Sequence, residues 1–295
     1  MQINPLAAEL NRQIQEGSQN TFACFSETGK QIFFPAGILT QSAEAKKKAT
    51  RFNASIGIAV ENKEPMFLDP TREYFNHLNA SEIYSYAPPE GIAELRQAWK
   101  EKIVRDNPTL AGKSISLPVV TSALTHGLAI AAEMFVDPGD VVIVPDKHWG
   151  AYDLIFKTRL GGRLSTFPLF DDKDGFNVKG FAECLEKEAA LHEKVVILLN
   201  TPNNPTGYTP SVEECREIFD VVRKRAEKGN RIVALSDDAY FGLFYEDSMK
   251  ESLFTGFCDL HENVLAVKLD AATKENFAWG FRTGFITFGT VTQQP

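Results

Sequence analysis

From about Leu117 to Leu269 the sequence alternates short β-branched and aliphatic runs with longer segments of helical spacing. The runs are 117–121, 141–145, 164–168, 195–199, 232–235 and 264–269, and the helix-length segments are 124–135, 148–160, 178–191 and 212–228. Val212, Cys215, Ile218 and Phe219 carry the i, i+3, i+4 recurrence of a helix that buries one face. Strand, helix, strand in repetition implies right-handed crossovers and a mostly parallel sheet covered on both faces. The expectation is an α/β three-layer sandwich. Asp137-Pro-Gly-Asp140 reads as a turn between a helix and a strand.

The first hundred residues have a different texture. Residues 1–60 contain helical stretches broken at Pro35, Gly37 and Gly57, with no clear strand series, and a boundary is expected near residue 60. Segment 92–103 reads as an amphipathic helix with Ile92, Leu95, Trp99 and Ile103 on one face. With 295 residues, 43% of them hydrophobic, the chain can bury a large core, and a net charge of −8 argues against a general nucleic-acid or anionic-membrane binder. The four cysteines, Cys24, Cys184, Cys215 and Cys258, are dispersed, and no apolar run is long enough to span a bilayer. A soluble, reduced, cytoplasmic protein is expected. The five histidines lack metal-ligand spacing, so no metal is expected.

In an open parallel sheet, ligands bind outside the carboxyl ends of the strands. The chemistry-bearing residues fall at such ends. Thr121-Ser-Ala-Leu-Thr125 follows one run and opens a helix; Trp149, Asn204 and Asp237 each follow another; Lys274 and Arg282, eight residues apart, follow the last. Asn204-Pro-Thr-Gly207 and Asp237-Asp-Ala-Tyr240 lie between them. Five loops thus converge on one edge. One amine and one guanidinium there can hold an aldehyde and a phosphate on one small molecule.

This ordered set resembles the pyridoxal 5′-phosphate (PLP) site of the class I/II aminotransferases, from about Tyr84 to Gly284. The resemblance implies the fold type I large domain over residues 61–295, with residues 1–60 as an N-terminal arm and part of a small domain. It implies that Lys274 forms the Schiff base with the cofactor aldehyde and, once freed, moves the substrate's α-proton. Asp237, favoured over Asp238 by its spacing to Ala239 and Tyr240, would pair with the pyridine nitrogen. Tyr240 and Asn204 would hydrogen-bond the phenolic oxygen, and Trp149 would stack on the ring. Arg282 would grip the phosphate, with Ala123, Leu124 and Thr125 at a helix N-terminus and Thr273 adding donors. Tyr86, in the 84–91 loop, matches a tyrosine that reaches the phosphate from the neighbouring subunit, which would make the active unit a homodimer. The implied reaction moves an amino group from an amino acid to a 2-oxo acid by ping-pong turnover.

Some positions depart from the family pattern. Ala123 stands where glycine or serine is usual, and Ala271 lacks a hydroxyl that often donates to the phosphate, while Thr273 offers one in a different direction. A hydrogen bond to a charged group contributes about 1.5–3 kcal/mol, so weaker cofactor retention is expected rather than none. The family continues into a second small-domain segment with an arginine for the substrate carboxylate, which residues up to Pro295 do not supply. Three other functions compete: a PLP-dependent lyase or decarboxylase on the same fold, a non-catalytic PLP-binding regulator, and a nicotinamide dehydrogenase, for which the chain lacks Gly-x-Gly-x-x-Gly. Phe33, Phe34 and Ile38 read either as an apolar entrance favouring hydrophobic substrates or as ordinary core.

Overall fold

The computed structural model describes residues 3–33, 38–53, 55, 57–62 and 64–289. Its contacts divide the chain into Met1–Met66 and Phe67–Pro295. The first unit holds helices Pro5–Gly17, Gln19–Ala23, Glu27–Gln31 and Ile38–Lys48, and a pair of two-residue strands, Val60–Glu61 and Glu64–Pro65. Asn4, Ser18 and Ser26 cap the first three helices by accepting hydrogen bonds from backbone amides of the first turn. Of the three residues considered for an apolar entrance, Phe34 and the side chain of Ile38 lie outside the described residues, and Phe33 is half-buried.

The second unit is built on seven strands: β1 Val119–Ser122, β2 Val141–Pro145, β3 Arg163–Phe167, β4 Lys194–Asn200, β5 Arg231–Asp237, β6 Val264–Ala271 and β7 Thr283–Gly289. Their order across the sheet is β1-β7-β6-β5-β4-β2-β3. The four pairings among β2 to β6 are parallel, and β7 runs antiparallel between β1 and β6. The five labelled helices are α1 Ala93–Asp106, α2 Ala123–Phe135, α3 Val178–Ala189, α4 Val212–Glu227 and α5 Leu253–Phe257.

Period-two alternation explains the three layers. On one face Ile143, Ile197, Ala234 and Ala266 pack with residues of α1, α3, α4 and α5. On the other face Val144, Leu198, Leu235 and Leu269 pack with α2 and the Tyr152–Phe156 segment. Every one of these strand side chains is essentially excluded from water. At about 25 cal/mol per Å² of apolar surface, this two-sided burial supplies most of the stabilisation.

Three sequence expectations need correction. Segment 148–160 is not one α-helix: its regular part is a π-helical turn at Asp153–Thr158. Its buried residues, Tyr152, Ile155 and Phe156, fit the wider turn as well as a 3.6-residue one. Ile92 does not join the packed face of α1. It precedes the helix and is exposed, whereas Ile103 is buried. The six expected strands omit β7, whose glycines and threonines hide a largely buried strand paired antiparallel with two neighbours, β1 and β6.

Candidate active site

Asn200, at the end of β4, pairs in register with Asp237, at the end of β5. Asp237 is buried and its carboxylate accepts three hydrogen bonds: Tyr152 Oη to Oδ2 at 2.5 Å, Ala239 N to Oδ1 at 3.0 Å and Asn200 Nδ2 to Oδ1 at 3.2 Å. It makes no ion pair among the described residues. Burial pushes its carboxyl up to about 6, partly offset by the bonds from Tyr152 and Ala239. Asp238, one residue on, faces the opposite side of the sheet, where it meets Lys268 and Ser252.

Lys274 lies beyond the end of β6, half-buried, its Nζ 4.6 Å from the centre of the Tyr240 ring. Burial lowers its pKa most; Asp237 opposes that shift and Arg282 adds to it. Burial and then Asp237 raise the Tyr240 phenol. Asn204 donates its backbone N–H to Asn200 Oδ1 at 2.6 Å. Trp149 meets Tyr152 edge-on, ring centres 5.8 Å apart at 86°.

The opposite rim is the start of α2. Ser122 makes no side-chain cap, so first-turn amides of this 13-residue helix point outward at the positive end of its dipole. Ala123 adopts φ +62°, a left-handed conformation that costs a non-glycine residue about 1–2 kcal/mol. Its N–H donates to the Arg282 carbonyl at 2.7 Å, which ties the helix start to the arginine's backbone. Arg282 is itself left-handed at φ +53°, and among the described residues its exposed guanidinium makes only a 3.5 Å contact with the Trp279 carbonyl.

These residues enclose a cavity of about 250 Å³ lined by Ala123, Leu124, Thr125, Trp149, Tyr152, Asn200, Asn204, Asp237, Ala239, Tyr240, Thr273, Lys274 and Arg282. Of the residues expected from sequence, only Tyr86 is elsewhere; its side chain is fully exposed at 105%. Tyr152 and Asn200 were missed. Each carried a signal: a phenol one turn after Trp149, and a polar residue closing the apolar run Val195–Leu199. No cluster of metal-binding side chains and no membrane-crossing helix occurs among the described residues.

Residues 56–290 match the family described as aminotransferase class I and II. The aspartate aminotransferase of Streptomyces avermitilis is 29% identical over 268 residues, covering 88% of this chain and 62% of that protein. A probable aspartate/prephenate aminotransferase of Aquifex aeolicus is 29% identical over 256 residues, covering 85% of this chain and 60% of that protein. The crystal structure of an aminotransferase from Anaerococcus prevotii superimposes with a TM-score of 0.78 at 26% identity, covering 92% of this chain and 67% of that one. The chain spans about three fifths of the length of the curated relatives it matches.

Proposed function

This chain belongs to the class I and II aminotransferase family, and from that premise we propose that its cavity binds PLP and moves an amino group from an amino acid to a 2-oxo acid. One observation carries the reading: a buried carboxylate, Asp237, has no cationic partner among the described residues and shares the cavity with the half-buried amine of Lys274. A protonated ring nitrogen suits the carboxylate, an aldehyde suits the amine, and a phosphate suits uncapped α2 with Arg282. The residues present fit the cofactor.

When bound, the cofactor supplies an electrophilic aldehyde and a ring that withdraws electrons. Asp237, held by Tyr152, Asn200 and the Ala239 amide, keeps the ring proton in place. Lys274 Nζ, pulled below its ordinary pKa by burial, is the amine placed to capture a carbonyl and to carry a substrate proton. Tyr240, beneath that amine, limits the directions it can take. Thr273 and Thr125 add hydroxyls at the rim, and Trp149 adds an aromatic face.

The names of the relatives make aspartate the first amino donor to assay. We place the enzyme in the cytoplasm as a homodimer, a reading supported by four free cysteines and by the exposed Tyr86 side chain. The test is a visible spectrum of the PLP-treated protein before and after borohydride, with mass mapping of the modified lysine. Labelling at Lys274, followed by 2-oxo acid-dependent amine transfer, is the expected result. Labelling elsewhere overturns the site, and α- or β-elimination without amine transfer overturns the reaction.

A further inference from the structure

The residue after Lys274 is anchored where the lysine itself is not. Glu275 accepts two hydrogen bonds from Lys102 Nζ, at 2.9 Å to each carboxylate oxygen. Lys102 lies on α1, is also bonded to Asp106 at 2.6 Å, and sits over the rings of Trp99 and Phe241. Trp99 in turn stacks on Phe285 of β7, 3.9 Å between centres, and its Nε1 donates to Asp270 of β6 at 3.0 Å. The far end of the anchor is therefore fixed to the sheet at two strands.

The lysine segment lacks such support of its own. Between β6 and β7 two of its backbone bonds are long, Asn276 N to Ala272 O and Phe277 N to Lys274 O at 3.3 Å, while Ala278 N to Thr273 O is ordinary at 3.1 Å. Phe277 is left-handed at φ +53°. The Glu275 side chain also lies against Gly242, at φ +87°, where an added Cβ would come within 3.0 Å of Oε1. Gly242 follows Tyr240 by two residues, so Glu275 touches both the segment that carries the amine and the segment that carries the ring beneath it.

We propose that Lys102 and Glu275 form a clamp that positions Lys274, acting through the backbone of the 273–278 turn and not through contact with cofactor or substrate. The proposal rests on Lys274 being the cofactor lysine. The groups facing the Lys274 amine are Asp237, Arg282 and the Tyr240 ring, whereas Glu275 and Lys102 line a separate small cavity with Asp106, Asp238, Lys268 and Asp270. Releasing the clamp admits water around the amine and so returns it toward ordinary lysine basicity.

The experiment follows the pH dependence of covalent PLP capture by the ligand-free protein in wild type, Glu275→Gln, Lys102→Met and Lys102→Arg. In both Glu275→Gln and Lys102→Met the midpoint should move up by roughly one pH unit, a tenfold loss of neutral amine at fixed pH. Lys102→Arg, which keeps the charged donor, should stay near wild type. The direction discriminates between causes: removing only the charge of Glu275 would move the midpoint down, so a downward or absent shift in Glu275→Gln overturns the clamp. Thermal melting of each variant is measured alongside, because a purely structural pair would lower it without moving the midpoint, and that outcome also overturns the proposal. Wild-type capture at a lysine other than Lys274 overturns the site reading and the clamp with it, whereas capture at Lys274 with unmoved variants overturns the clamp alone.

Discussion

Asp237 and Asp238 are neighbours, both buried, and sheet geometry gives them opposite work. Asp238 is paired with Lys268; Asp237 faces the cavity with only neutral donors. Its carboxyl, raised from 3.8 to about 6 by burial, binds its proton more tightly in the folded chain than in the unfolded one. The stability this adds is complete below the unfolded value and is lost as pH rises through about 6. Ligand-free Asp237→Asn should therefore be more stable than wild type at pH 7, by up to about 3 kcal/mol at 1.36 kcal/mol per unit, while losing amine transfer. Urea unfolding at pH 5 and pH 7 checks this: the difference must grow with pH. Tyr152→Phe acts on the same carboxyl with the opposite tool. It removes a hydrogen bond that holds the value down, so the Asp237 carboxyl should titrate above 6 in carbon-detected NMR of the ligand-free variant, and a fall in the midpoint would contradict the assigned role.

At the level of elements, the rim proposed for the phosphate depends on how closely β7 approaches the start of α2. Gly284 pairs with Thr121 on one side and Ala271 on the other, and a Cβ there would come within 2.4 Å of Ala123 C and 2.6 Å of Leu124 N. Those atoms are backbone and cannot swing aside. Gly284→Ala should cost about 1–3 kcal/mol of stability, the range for overpacking, and should weaken PLP binding more than it weakens the fold. Parallel thermal melts and PLP titrations separate the two effects. The requirement was hard to read from sequence because a glycine inside a strand has several explanations, and only the partner backbone selects one. The same holds for the π-turn, where Tyr152 and Phe156 satisfy two helical periods. By contrast, β2, β4, β5 and β6 were legible because nearly every residue in them is buried and their runs are mostly apolar, whereas the edge strand β3, half-exposed, shows a weaker run. Lys274, Asp237 and Asn204 were legible because they follow the carboxyl ends of parallel strands, which share one edge, and Arg282 through its fixed spacing from Lys274; Asn200 and Tyr152 line the same cavity but carry weaker sequence signals.

At the level of the whole molecule, Tyr86 sets the sharpest problem. It follows a capped helical turn, Ala80–Tyr84, yet its side chain is fully exposed and it lines no part of the cavity of its own chain. An exposed tyrosine is a good interface residue, since its ring offers contact area and its hydroxyl a hydrogen bond at small entropic cost. If its place is the phosphate of a second subunit, a site needs Lys274 from one chain and Tyr86 from the other. Lys274→Ala and Tyr86→Phe then complement each other. Homodimers of Lys274→Ala would form no covalent PLP adduct, and homodimers of Tyr86→Phe would hold PLP more weakly, by roughly tenfold for one lost bond to a charged oxygen. In a mixed dimer, the Tyr86→Phe chain keeps its lysine and receives an intact tyrosine, so that site returns to wild-type affinity. Refolding the two variants together and titrating PLP should give a tight class of sites absent from either variant alone. Its absence, with mixed dimers demonstrated by mass, would confine Tyr86 to its own chain's surface.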